Sequence, residues 1–213
     1  VLPPASDYVS ITIRRPSKTV WTLDELADKG LFTQCKEAGD ELDDVEKELL
    51  ALKEQRRYGE FIKLGIKAKK NFLLSGVTGS GKTTANKALI LEIPSDERII
   101  TIEDAKELVL VNQPDHVRLF YSKGGQGISN VNAKMLLEAC LRMKPDRLFL
   151  AELRSDEAFE YLRAVASHPG SITSIHGHTA QLALAQMVLL LRQSPAGQAL
   201  QSEEIKSLLY QTI

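Results

Sequence analysis

Beyond residue 70 the chain alternates between short apolar runs and longer amphipathic stretches. The runs at 71–75, 98–103, 117–121, 147–152 and 171–176 are bounded by Gly, Pro or charged residues, which predicts buried strands. The stretches at 82–92, 130–142, 155–167, 179–192 and 202–212 have the spacing of helices. Such alternation predicts an α/β fold with a mostly parallel sheet covered by helices. In sheets of that kind ligands bind at the carboxyl ends of the strands.

Ahead of this region the pattern changes. Residues 8–14, Tyr8-Val9-Ser10-Ile11-Thr12-Ile13-Arg14, alternate with the strand period and carry β-branched side chains, so a strand is predicted there. Thr22 to Glu25 has the form of a capping box and opens a short helix to about Ala27. Residues 36–57 are charge-dense, with Leu42, Val45, Leu49 and Leu52 at helical spacing, the mark of an amphipathic linker helix with one solvated face. A second helix runs from about Tyr58 to Ala68. The division that follows is 1–35 as the end of a small α+β domain, 36–57 as linker and 58–213 as the main domain. The chain begins at Val1 and stops at Ile213 within a predicted helix, so it reads as a fragment with both outer regions incomplete.

Composition narrows the class. The 213 residues are 43% hydrophobic and 26% charged, enough for a sizeable core. The net charge of −1 supplies no global basic field, so DNA contact is not indicated. Cys35 and Cys140 lie far apart without metal spacing and read as two small buried residues in a reducing compartment. No apolar run is long enough to cross a bilayer and no signal peptide is seen, so membrane association is expected to be peripheral.

Residues 76–83, Gly76-Val77-Thr78-Gly79-Ser80-Gly81-Lys82-Thr83, complete the phosphate-loop pattern G-x-x-x-x-G-K-[ST] between a predicted strand and a predicted helix. Glycines there turn the backbone so that N–H groups converge on an anion, and the helix adds its positive end. Gly76, Thr78, Gly79, Ser80, Gly81, Lys82, Thr83 and Thr84 are the candidate nucleotide-binding residues. Two predicted strands close in acid, at Glu103 and Glu152, and each carboxylate is expected beside the phosphate loop to hold Mg²⁺ or orient water. The basic turn Leu141 to Arg147 reads either as a helix C-terminus offsetting the dipole or as a face for a neighbouring subunit's nucleotide. Of His168, His176 and His178, none has the spacing of a helical zinc pair and no cysteine is near. His176, at a strand end, is placed to hydrogen-bond a γ-phosphate or a water.

These parts in order resemble the secretion traffic ATPases, and most closely their VirB11 branch. Ile100 to Asp104 is similar to that family's Asp box, Cys140 to Arg154 to its Walker B region, and Gly170 to His176 to its His box. Ile11 to Ser17 is similar to the end of its N-terminal domain. Ala151 stands where the family usually has Gly, Ser155 and Asp156 where Gly or Asp is common, and Gly177 where Ala is usual, small residues replacing small ones. The resemblance implies a RecA-like P-loop domain and Mg²⁺-dependent hydrolysis of ATP by a homo-hexameric ring, with nucleotide between two domains. It implies catalytic roles for Lys82, Glu103 (general base), Glu152 and His176, Mg²⁺ held by Thr83 and Glu152, and phosphate contacts from Arg14 and Arg15. The implied partners are an inner-membrane secretion channel and coupling proteins, with no zinc. The implied place is the cytoplasm, peripherally on the inner membrane. The rival readings are an ATPase of type II secretion or type IV pili, a small-molecule kinase, and a nucleotide-gated scaffold without turnover.

Overall fold

The computed structural model describes residues 1–33, 35, 41–122 and 131–213. Its centre is a five-stranded parallel sheet: β1 (Phe72–Ser75), β2 (Ile99–Glu103), β3 (His116–Phe120), β4 (Arg147–Leu150) and β5 (Ile172–Ile175), in the order β1-β5-β4-β2-β3. All four pairings are parallel, as the strand–helix alternation requires.

Strand side chains alternate between two cores. Ile100, Ile102, Leu148, Leu150 and Ile175 face a large cluster with α5 (Ala133–Cys140), α6 (Glu157–Ser167), α7 (Ala180–Leu191) and α9 (Ser202–Thr212). Ile99, Phe149 and Ile172 face a smaller one with α3 (Tyr58–Lys67) and α4 (Lys82–Leu91). The central strands are therefore buried on both faces, while β1 is an edge strand among the described ones and is half-buried throughout. That differs from the fully buried strand expected at 71–75. Strand order is set by distant pairings, and Phe72 to Ser75 are apolar enough to suit either position.

The N-terminal region departs further. Thr22 and Glu25 do form a capping box, at the start of α1 (Leu23–Asp28). The strand expected at 8–14 is absent: those residues are irregular, and Tyr8, Val9, Ile11 and Ile13 are exposed. Alternation suits a strand only when a neighbour pairs along it, and among the described residues the pairing stops at Ser10, which exchanges backbone hydrogen bonds with Val1 at 2.9 and 2.8 Å. The chain touches the sheet earlier instead, through a single antiparallel bridge of Ser6 to Leu119 and an ion pair from Arg118 to Asp7. The start of the charged segment, 36–40, lies outside the described residues. Its remainder is α2 (Asp44–Glu54), capped by Asp43 and packed on α3 through buried Leu49 and Leu52, with Lys70 reaching Glu46 at 2.9 Å. Leu42 and Val45, the other half of the expected stripe, are exposed. The short helix α8 (Pro195–Gln198), capped by Ser194, was not foreseen. Among the described residues no helix is long and apolar enough to cross a membrane.

Candidate functional site

A cleft of about 510 Å³ opens at the carboxyl ends of β1, β5 and β4. Its floor is the loop from β1 into α4. Gly79 and Gly81 have φ of +76° and +88°, a region closed to most side-chain-bearing residues, which turns the loop around on itself and lets α4 start at Lys82. Gly76 is held too close to Ser80 for any side chain: a Cβ there would lie 2.3 Å from Ser80 Oγ. Val77, Thr78, Gly79, Gly81, Lys82, Thr83 and Thr84 line the cleft. Lys82 Nζ donates to the carbonyls of Gly76 (2.8 Å) and Val77 (3.1 Å), which fixes the ammonium at the mouth of the loop.

The opposite wall carries the charged groups. Glu152 follows β4, two strands from β1, and His176 follows β5, the neighbour of β1. Glu152 is buried, and burial pushes its carboxyl above the ordinary range against the pull of His176 and Lys82. Its Oε2 accepts from Arg154, whose guanidinium also donates to Asp104 at 2.6 Å. His176 Nε2 lies 2.6 Å from Glu152 Oε1, close enough for charge attraction but out of hydrogen-bond alignment, so that oxygen has no aligned donor. Asp104, Glu107, Ala151 and Ser174 complete the wall.

Glu103 does not reach this cleft. β2 lies three strand spacings from β1, about 14 Å. Its carboxylate is fully buried and accepts from Thr101 Oγ1, from Arg118 twice, and from the backbone of Glu107 and Leu108. The carboxylate expected to face the phosphate loop is instead closed off from solvent and tied to β3 and to the loop that follows β2. The loop it holds carries Glu107 back toward the phosphate loop, where exposed Glu107 Oε2 accepts from Thr83 Oγ1 at 2.9 Å. Sequence reasoning missed Glu107, Asp104 and Arg154 as cleft residues; the available signal was a second acid four residues after the strand's own.

Arg14 and Arg15 are not in the cleft either. Arg14 lines a separate pocket with Ile13, Leu141, Arg142, Lys144 and His168. Lys144 and His168 precede β4 and β5, so this pocket is at the amino edge of the sheet. Arg15 is exposed. Of the two cysteines, Cys140 is buried and its thiol is pushed up to about 12 by burial, whereas Cys35 is exposed, against the expectation for both.

The chain is similar to solved and curated proteins over most of its length. The VirB11 ATPase from the Brucella suis type IV secretion system, crystallised with sulphate, superposes with a TM-score of 0.92 at 44% identity, covering 100% of this chain and 64% of that one. The pilus retraction motor PilT with bound ADP aligns over 68% of this chain and 40% of its own at 28% identity, with a TM-score of 0.53. The type IV secretion system protein VirB11 of Bartonella quintana is 46% identical over all of this chain, which spans 64% of that protein's length. Protein VirB11 of Agrobacterium fabrum is 42% identical over 98% of this chain and 62% of its own length. The family model for type II/IV secretion system proteins matches residues 42–208, and on that match and these identities the chain belongs to the type II/IV secretion system protein family, on its VirB11 branch.

Proposed function

We propose that this chain is the nucleotide-hydrolysing part of a type IV secretion ATPase. The observation that carries the reading is the Thr83–Glu107 hydrogen bond, which sets a solvent-exposed carboxylate beside the phosphate loop, opposite Glu152. One carboxylate suffices to hold a metal ion against the phosphates, and the second is left free to orient a water.

The phosphate-loop backbone and Lys82 cradle the β- and γ-phosphates of ATP. To do so Lys82 exchanges two carbonyls for phosphate oxygens, a stronger charge-assisted pairing. Mg²⁺ suits the oxygen donors Thr83 and Glu152 and would supply charge neutralisation at the transferring phosphoryl group. Glu107 takes the part the sequence reading gave to Glu103 and orients the attacking water. Glu152 holds His176 in the cleft, where the imidazole can donate to a γ-phosphate and register its loss. The cleft faces solvent on its open side, Arg14 lies at the amino edge of the sheet, and Arg15 is exposed. We assign them to contacts between copies in a homo-hexameric ring that works on the cytoplasmic face of a membrane-embedded secretion channel. The segment 1–35, the charged stretch 36–57 and the domain 58–213 are the units of that movement.

Phosphate release from ATP with no acceptor present tests the reading directly. Wild-type protein should turn over with Mg²⁺, and Lys82→Ala should lose at least about a hundredfold in rate. Nucleotide binding without release in the wild type would replace the motor with a scaffold.

A further inference from the structure

Asp7 is fixed in place by its neighbours. Ala5 and Ser6 are buried against β3, where the Ala5 carbonyl accepts from the Phe120 N–H at 2.9 Å and Ser6 bridges Leu119. The Asp7 carboxylate then meets two cations. Lys106 Nζ donates to its Oδ1, and Arg118 Nη1 lies 3.5 Å from its Oδ2. Both cations also rest on one aromatic ring: Lys106 Nζ lies 4.8 Å and the Arg118 guanidinium carbon 5.3 Å from the centre of Phe120. The side chain of Asp7 is 20% exposed and that of Lys106 63%, so the acid is the anchored member and the lysine the one it orients.

Lys106 and Glu107 are adjacent, and different partners take their side chains. Lys106 goes to Asp7 on the side of β3, and Glu107 accepts from Thr83 at the start of α4. The backbone of the same loop is tied again where Glu103 Oε2 accepts from the N–H groups of Glu107 at 3.0 Å and Leu108 at 2.9 Å. Glu103 is in turn held by Arg118, at 3.0 and 3.2 Å, and Arg118 is the second cation on Asp7. Asp7 therefore acts on this loop by two routes, directly through Lys106 and indirectly through Arg118 and Glu103. Within the group two acids, Asp7 and Glu103, balance two cations. Without Asp7 one acid faces both.

Resting on the ATPase reading and on Glu107 as the water-orienting acid, we infer that Asp7 is a positioning residue for hydrolysis: by holding Lys106 and Arg118 it keeps the loop after β2 in the arrangement that sets Glu107 beside Thr83. It touches neither nucleotide nor water. Freed of Asp7, Lys106 turns its charge to its sequence neighbours Asp104 and Glu107, and Glu107 is drawn off the phosphate loop. An exposed ion pair contributes little to stability. Displacing a group by about 1 Å from its working position can nonetheless cost about a hundredfold in rate. The contribution of Asp7 is thus to turnover rather than to folding.

Steady-state kinetics of phosphate release by the full-length protein test this. Asp7→Ala and Lys106→Ala should each lower kcat about tenfold and leave KM for ATP within about twofold, the pattern of lost positioning rather than lost binding. Both should keep the chemical-denaturation midpoint of the wild type. The double variant should lose no more than either single one, because both changes remove the same contact. Four results overturn the inference while the wild type turns over: a wild-type kcat in Asp7→Ala, a change in KM alone, losses that multiply in the double variant, or a loss no larger than the fall in folded protein. Absence of phosphate release in the wild type overturns the ATPase reading and this inference with it.

Discussion

At the scale of single residues, two glutamates four positions apart end in opposite surroundings, Glu103 buried and Glu107 exposed beside the phosphate loop. Glu103 is the last residue of β2 and Glu107 follows it by four, and sequence alone ranks Glu103 first because it closes the strand. The decisive partner is Arg118, on the neighbouring strand and diagonal to Glu103 through the Thr101–Arg118 register. Glu103 is thereby drawn into the sheet, and Glu107 is left to meet Thr83. The substitution Glu103→Gln should weaken this buried pair and destabilise the domain by about 3 kcal/mol in chemical denaturation. Glu107→Gln should leave the denaturation midpoint nearly unchanged, retain nucleotide binding and lose hydrolysis. If Glu103→Gln proved the stable, inactive variant and Glu107→Gln the active one, the two roles would be reversed. Glu152, expected beside the phosphate loop from its four-residue apolar run, does line the cleft, because the strand order sets β4 two places from β1.

At the scale of elements, the phosphate loop was legible because its turn chemistry is local: φ above zero at Gly79 and Gly81 demands glycine, and the spacing to Lys82 follows. The joint between β1 and β5 was not legible, since the residues that make it are about a hundred apart. Ser75 Oγ donates to the Gly177 carbonyl at 2.8 Å, and this bond holds the His176 turn against the strand that carries the phosphate loop. A Cβ on Gly177 would meet Ser75 Oγ at 2.9 Å and the Ala183 backbone nitrogen at 3.2 Å. The glycine at this departure from the family pattern is therefore matched to a serine on β1. Gly177→Ala should cost about 1–3 kcal/mol by overpacking and, by displacing His176, should lower the rate of phosphate release beyond the loss of folded protein. Ser75→Gly/Gly177→Ala should restore part of both, as thermal denaturation and turnover measured on the same samples would show. A double variant no better than Gly177→Ala alone would remove Ser75 from the account.

At the scale of the whole molecule, the parallel sheet and its covering helices could be read from periodicity, because each strand and helix announces itself within a few residues. The N-terminal strand could not be confirmed that way: residues 8–14 alternate correctly, yet among the described residues the backbone pairing is confined to Ser10 with Val1 and no ladder extends from it. Net charge misled in the same manner. A total of −1 hides a separation in which the carboxyl edge gathers Asp104, Glu107 and Glu152 and the amino edge gathers Arg14, Arg142 and Lys144. Two copies stacked edge to edge would bring unlike charges together, and exposed charges a few ångströms apart are screened over a Debye length of about 10 Å at 0.1 M salt. Association of this chain should therefore be weak without nucleotide, strengthen when a triphosphate deepens the negative charge of the cleft, and fall as salt rises from about 0.05 to 0.5 M. Sedimentation velocity across that range, with and without ATP, measures all three. Association that ignored both salt and nucleotide would mean that apolar surfaces, such as exposed Leu182 and Leu189 on α7, join the copies instead, and that the charge separation serves something other than assembly.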